Sequence, residues 1–281
     1  MGTSKKLAKL LYELGKIYYL GEETHQNYNE AFSYFKKSAK QNYAPAQNML
    51  GIMYYNGYGV KLNYDRAFTW FYKAANQGNE EAQLYLGMMY EDGERIGVNY
   101  EEAVEWYKKA ANQGNDEAQY HLGMIYYNGD LIYDGAYASD LKKAFYWLIK
   151  SANHGNADAK EQLETMYCLG EGLQVGEYDE DIINKYREVA EQGNDEALRN
   201  LCNYFCDQGW YEDAIPLLEK AAERGRIFAM NELGNIYYYN SFFDKHFDKA
   251  LKWYQKSAKL GNDFAKEQLK NLNYEMNKKN L

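Results

Sequence analysis

Apolar and polar positions along the chain follow a helical period rather than the alternation of strands. In residues 80–92, Ala82, Leu86, Met89 and Tyr90 fall at i, i+4, i+7 and i+8, one stripe of a 3.6-residue helix. Asn79 before them is a good N-cap, and Glu80 and Glu81 suit the positive end of the helix dipole. The glycines of "EDGERIGVN" then break the pattern, and Asn99 opens a second stripe of Ala103, Trp106, Tyr107 and Ala110 at i, i+3, i+4 and i+7. Gly114 stops it. The segment predicts an α-hairpin.

The hairpin recurs. "AANQGNEEAQ" at 74–83 returns as "AANQGNDEAQ" at 110–119, with Asp116 in the place of Glu80 as the one change. A leucine, usually followed by glycine, stands at positions 14, 50, 86, 122, 163, 201, 233 and 269. A pair of small residues before a turn glycine starts at 38, 74, 110, 151, 189, 221 and 257. Both series step mostly by 36, and both lengthen to 41, then 38, and shorten to 32 at the same places. Agreement between two landmarks marks a true repeat with loops of variable length. It divides the chain into repeats at about 7–43, 44–79, 80–115, 116–156, 157–194, 195–226 and 227–262, with a closing helix over 263–281. Residues 1–4, "MGTS", read as a cloning remnant.

The motif resembles the Sel1-like repeat, a relative of the tetratricopeptide repeat. The second repeat carries Ala46, Leu50, Gly51, Tyr54, Gly57, Gly59 and Val60, then Ala67, Trp70, Phe71, Lys73, Ala74, Ala75 and Gly78. The third carries Ala82, Leu86, Gly87, Tyr90, Gly93, Gly97 and Val98, then Ala103, Trp106, Tyr107, Lys109, Ala110, Ala111 and Gly114. The resemblance implies an all-α chain, a right-handed α/α solenoid of about seven such hairpins in a single domain. Three repeats depart from the motif. The fourth carries an insertion around "DLIYDGAYAS", and the fifth has Lys185 where tryptophan belongs. The sixth has Cys202 in the glycine position and Pro216 early in its second helix. Local changes of curvature are expected there.

Composition narrows the function classes. With 32 Lys and Arg against 41 Asp and Glu, the net charge is −9. That argues against nucleic acid and anionic membrane surfaces and favours a basic or mixed protein partner. Three cysteines do not make a disulfide framework and point to a reducing, cytoplasmic home. No run of about 18 apolar residues is present to span a bilayer. No Walker loop, G-x-S-x-G or H-E-x-x-H occurs, the four histidines share no ligand spacing, and "NGYGV" at 56–60 follows a helix, not a strand. Cys202 and Cys206 lie one helical turn apart, a spacing better explained by packing than by a metal. No enzyme activity, metal or cofactor is expected, and a monomer is.

A partner would meet the first helices of the repeats. With 100° per residue, offsets 0, +4, +7 and +8 from the motif alanine make the core stripe, while +2, +6 and +9 cluster on the opposite face. Tetratricopeptide relatives bind peptides with that face, which the resemblance carries over as a concave groove. Those offsets give Asn48, Ile52 and Tyr55, then Leu84, Met88 and Glu91, then Tyr120, Met124 and Tyr127, and are mostly polar afterwards. Offset −1 adds Glu81 and Glu117 as an acidic edge. Methionine and tyrosine suit an adaptable interface, though the same row could be inter-repeat core. The expected role is a scaffold or adaptor for a protein or peptide. An immunity protein that neutralises a toxin is the alternative, and a cell-wall or glycan-fragment binder ranks below it.

Overall fold

The structure is a computed structural model that describes residues 2–21, 25–94, 97–133, 136–137, 139–173, 179–239 and 246–278. The chain forms two compact units, Met1–Leu163 and Glu164–Leu281. In the first, hairpins pair α1 (Gly2–Leu20) with α2 (Tyr28–Ala39), and α3 (Ala44–Asn56) with α4 (Tyr64–Ala75). Next come α5 (Glu80–Asp92) with α6 (Tyr100–Ala111), and α7 (Asp116–Asn128) with α8 (Leu141–Asn153). The inserted loop of the fourth repeat holds a two-residue antiparallel pair, β1 (Ile132–Tyr133) with β2 (Ala136–Tyr137). Residues 134, 135 and 138 of that insertion lie outside the described residues. Helix α9 (Ala157–Leu169) carries the boundary between the units. The second unit continues with α10 (Glu180–Glu191), α11 (Asp195–Asp207), α12 (Tyr211–Glu223), α13 (Ile227–Tyr239), α14 (Phe247–Lys259) and α15 (Asp263–Lys278).

The leucine–glycine pair explains how each hairpin closes. Gly51 and Gly87 lie directly under the Phe71 and Tyr107 rings of the second helix, and Gly15 lies under Phe35. A Cβ at any of them would come within 3.0 Å of the ring. Glycine is therefore required for helix approach, and Phe35, Phe71 and Tyr107 become fully buried. In the fourth repeat Leu148 takes the ring's place over Gly123. In the second unit, Gly234 sits under Tyr254 in the same way.

The repeated decapeptide is a clasp between successive hairpins. Gly78 and Gly114 adopt φ of +87° and +101°, which ends α4 and α6 in the left-handed region. Asn79 and Asn115 then accept a hydrogen bond from the backbone of Ala82 and Ala118, each at 2.8 Å. Glutamine supplies the rest. The buried Gln83 amide donates to the Ala75 carbonyl at 3.1 Å, and its Oε1 accepts from Gln113 at 2.7 Å. Gln47 and Gln77 do the same one repeat earlier, and Gln119 donates to Ala111 at 3.0 Å one repeat later. Each buried glutamine uses both ends of its amide, as burial of a polar group requires.

Pro216 lies inside α12. It removes one helical donor near the start of the helix, where the loss is limited to a single turn.

Candidate functional site

In repeats two to four the first helices carry no lysine or arginine, whereas α1 is basic and α4 and α6 hold charges of both signs. Helices α3, α5 and α7 carry Glu80, Glu81, Glu91, Asp92, Asp116 and Glu117 and contain no lysine or arginine. The second helices α4, α6 and α8 carry Arg66, Lys73, Lys108, Lys109, Lys142, Lys143 and Lys150. Neighbouring first helices touch, α3 with α5 and α5 with α7, so their acidic residues share one surface.

The residues predicted to line that surface divide by burial. Asn48, Ile52 and Leu84 are 2, 7 and 5% exposed. Ile52 packs among Phe71, Leu86 and Met89, in the core between hairpins. Asn48 donates from Nδ2 to Glu81 Oε2 at 2.7 Å, tying α3 to α5. Tyr55, Met88, Tyr120, Met124 and Tyr127 are half-buried, and Glu81 and Glu117 are exposed. Tyr55 lies 5.4 Å from the Tyr64 ring and 5.7 Å from that of Tyr85. Burial and then the Glu94 carboxylate push its hydroxyl far above the usual tyrosine range. Crowding by protein pushes the Glu81 carboxyl up, the Asn48 amide opposes that, and the charges of Glu80 and Glu117 add to it.

Glu91 anchors a polar cluster that joins three helices. Its Oε2 accepts from Tyr107 Oη at 2.5 Å and lies 2.9 Å from His121 Nδ1. The His121 and Tyr107 rings stack, with centroids 5.0 Å apart and planes 12° from parallel. Burial would raise the Glu91 carboxyl, but hydrogen bonds from His121 and Tyr107, with the histidine's charge, hold it below the usual glutamate value. The cluster satisfies itself and locks α5, α6 and α7 together.

The sequence reasoning gave no role to Tyr85 and His121, or to Tyr12 and Tyr19 of the first repeat. Tyr85 stacks on Phe71 at 4.7 Å with planes 4° apart. Tyr12 and Tyr19 are half-buried, and each feels the Glu81 charge. The available signal was an aromatic ring at offset +3 in two successive repeats, Tyr85 and His121, on the border of the core stripe.

The cysteines behave as packing residues. Burial, then Cys206 and Glu232, push the Cys202 thiol up to about 12, and burial with Glu232 and Asp207 pushes Cys206 up to about 11. Neither is a ready thiolate. Among the described residues no group of three His, Cys, Asp or Glu could hold a metal, and no helix is long and apolar enough to cross a membrane.

Comparison with known proteins follows this geometry. The Sel1 repeat family profile matches residues 8–43, 44–79, 80–115, 116–156, 195–225 and 227–262. Among solved structures, the chain is similar to a protective antigen present in uropathogenic Escherichia coli strains displaying an SLR fold. The two are 35% identical with a TM-score of 0.55, over 94% of this chain and 56% of the antigen, so the chain spans little more than half of that protein. It is also similar to a Sel1 repeat protein from Oxalobacter formigenes, 27% identical with a TM-score of 0.55, over 90% of this chain and 88% of that one. An immunity protein from Pseudomonas aeruginosa aligns over 94% of this chain and 81% of its own, at 15% identity and a TM-score of 0.40, too distant to bear on role. No curated protein matches the sequence.

Proposed function

The chain belongs to the Sel1 repeat family, and from that premise we propose that it is a non-catalytic scaffold that holds a segment of another protein against the face of α3, α5 and α7. Sel1 repeat proteins generally mediate protein–protein interaction. The observation that carries the choice of face is its charge. Two successive first helices, α5 and α7, present acids and no lysine or arginine beside half-buried Met88, Tyr120, Met124 and Tyr127, and α3 beside them is uncharged. Half-buried methionine and tyrosine offer apolar area that repacks around a ligand, and an acidic border steers a basic one. The preferred segment therefore alternates apolar anchors with lysine or arginine.

Asn48, Ile52 and Leu84 contribute by packing the hairpins beneath the face, so substitutions that probe binding belong elsewhere. Panning a random-peptide display library against the chain tests the reading. Peptides rich in apolar and basic residues are expected. They should lose binding to a Glu117→Lys, Tyr120→Ala variant that melts like the parent. Recovery of acidic peptides, or equal binding to the variant, would remove this face from consideration.

A further inference from the structure

A second site lies on the other side of the same unit. A cavity of about 450 Å³ opens between the first two hairpins, where α2 meets the loop that leads into α4. Phe32, Tyr54 and Val60 give it apolar walls, with the Phe32 and Tyr54 rings edge to face at 5.5 Å. Lys36, Lys61 and Arg66 bring three positive charges to it, and no carboxylate lines it. All three cations are exposed, and none is in an ion pair among the described residues.

The cations are placed rather than loose. The Arg66 guanidinium lies 5.5 Å over the Tyr54 ring, and its Nη1 donates to Tyr54 Oη at 3.3 Å. That leaves most of its fork of donors unused. Lys36 Nζ lies 5.7 Å over the Phe32 ring. Asn63, another lining residue, caps α4 by accepting from the Arg66 backbone at 2.8 Å. The positive end of the α4 dipole therefore adds to the same field. Asp65 stands in that first turn but does not line the cavity. Thirty-six residues on, in the next hairpin, Tyr72, Gly97 and Glu102 occupy the equivalent positions and carry no positive charge.

We propose that this cavity binds a small organic phosphate, a phosphate monoester attached to an aromatic or apolar body. A phosphate monoester carries about −1.5 to −2 charges at neutral pH and three acceptor oxygens. Lys36, Lys61 and the free edge of Arg66 surround it with matching donors, while the attached body rests on Phe32 and Tyr54. A carboxylate brings one charge and two oxygens, and uses the three cations less well. The volume falls within the roughly 300–1,000 Å³ of small-molecule sites. The site is separate from the peptide-binding face and stands or falls independently of it.

Isothermal titration of the full chain with phenyl phosphate, inorganic phosphate and benzoate, at low salt, tests the proposal. Phenyl phosphate is expected to bind one site per chain, about tenfold tighter than either comparison probe, because inorganic phosphate lacks the ring and benzoate brings one charge and two oxygens. Raising the salt should weaken it, since the cations are exposed. Lys36→Ala with Lys61→Ala should weaken binding by about tenfold or more without changing the melting temperature, as each charge-assisted bond is worth at least that much. Arg66→Ala should do the same. Phenyl phosphate binding no tighter than benzoate, equal binding by the lysine double variant, or no heat up to about 10 mM probe, a concentration typical of non-specific contact, would overturn it.

Discussion

The two units use one hairpin design with different means of holding it. In residues 1–163 the second, third and fourth repeats place a buried glutamine, Gln47, Gln83 or Gln119, against the carbonyl of the preceding hairpin, while the fifth has the exposed Lys160 there. In residues 164–281 the equivalent positions are Leu198 and Met230, 7 and 4% exposed. The glycine after the leucine is similarly kept at 15, 51, 87 and 123, whereas 164 and 202 are Glu and Cys, and Gly234 returns to it. Where Cys202 replaces glycine, Leu218 stands at the sequence position of the ring. Burial of apolar surface has no direction, whereas a buried glutamine that satisfies both ends of its amide adds directional bonds to the junction. Repeat length does not follow this difference: the fourth repeat, with Gln119, has 41 residues, and the seventh, with Met230, has 36.

Three substitutions test this contrast. The largest effect belongs to Phe71→Ala, which empties the fully buried ring position above Gly51 and should cost about 3–5 kcal/mol in urea denaturation. A cost below about 1 kcal/mol would mean that ring-over-glycine packing is not what closes the hairpin. Next is Gln83→Leu, which gives the first unit the residue type of the second. It removes two hydrogen bonds, leaving the Ala75 carbonyl to Gly78 and the exposed Gln113 amide to Lys109, and should cost about 1–2 kcal/mol. A neutral or stabilising result would show that apolar packing serves equally well at both junctions.

The smallest effect is Tyr107→Phe, which leaves Glu91 with His121 alone. The Glu91 carboxyl is held below its ordinary 4.5 in the folded chain, so its bonds stabilise fully above that value and are lost as pH falls through the lower folded value. The variant should lose about 1–2 kcal/mol at neutral pH, and the gap from the parent should close progressively below pH about 4.5. Thermal melts from pH 7 to pH 3 would show it, and a gap that stays constant would assign the loss to packing.

The hairpins and their boundaries were legible because each stripe depends only on neighbours three and four residues away. Asn79, Gly78 and the leucine–glycine pair each have a local meaning, and the structure gives them that meaning. Burial on the face proposed for binding was only partly legible. A helical wheel knows its own partner helix and not the next hairpin, so Asn48, Ile52 and Leu84 looked open while α3 and α5 cover them. Gln77 and Gln83 stood in the quoted decapeptide without an assigned task, because their partners lie about thirty residues away. His121 likewise acquires its role only when the third and fourth repeats stack and bring Glu91 within 2.9 Å.

The clasp also makes one module interchangeable with its neighbour. Removing residues 80–115 would join Asn79 to Asp116, and the seam would read "AANQGNDEAQ", a junction the chain already contains. Gln119 would meet the Ala75 carbonyl as Gln83 does, Gln77 would keep Gln47, and Gln119 would keep His154, so no orphaned amide would mark the cut. A gene built this way can gain or shed a hairpin by unequal crossover at a seam the chain already tolerates.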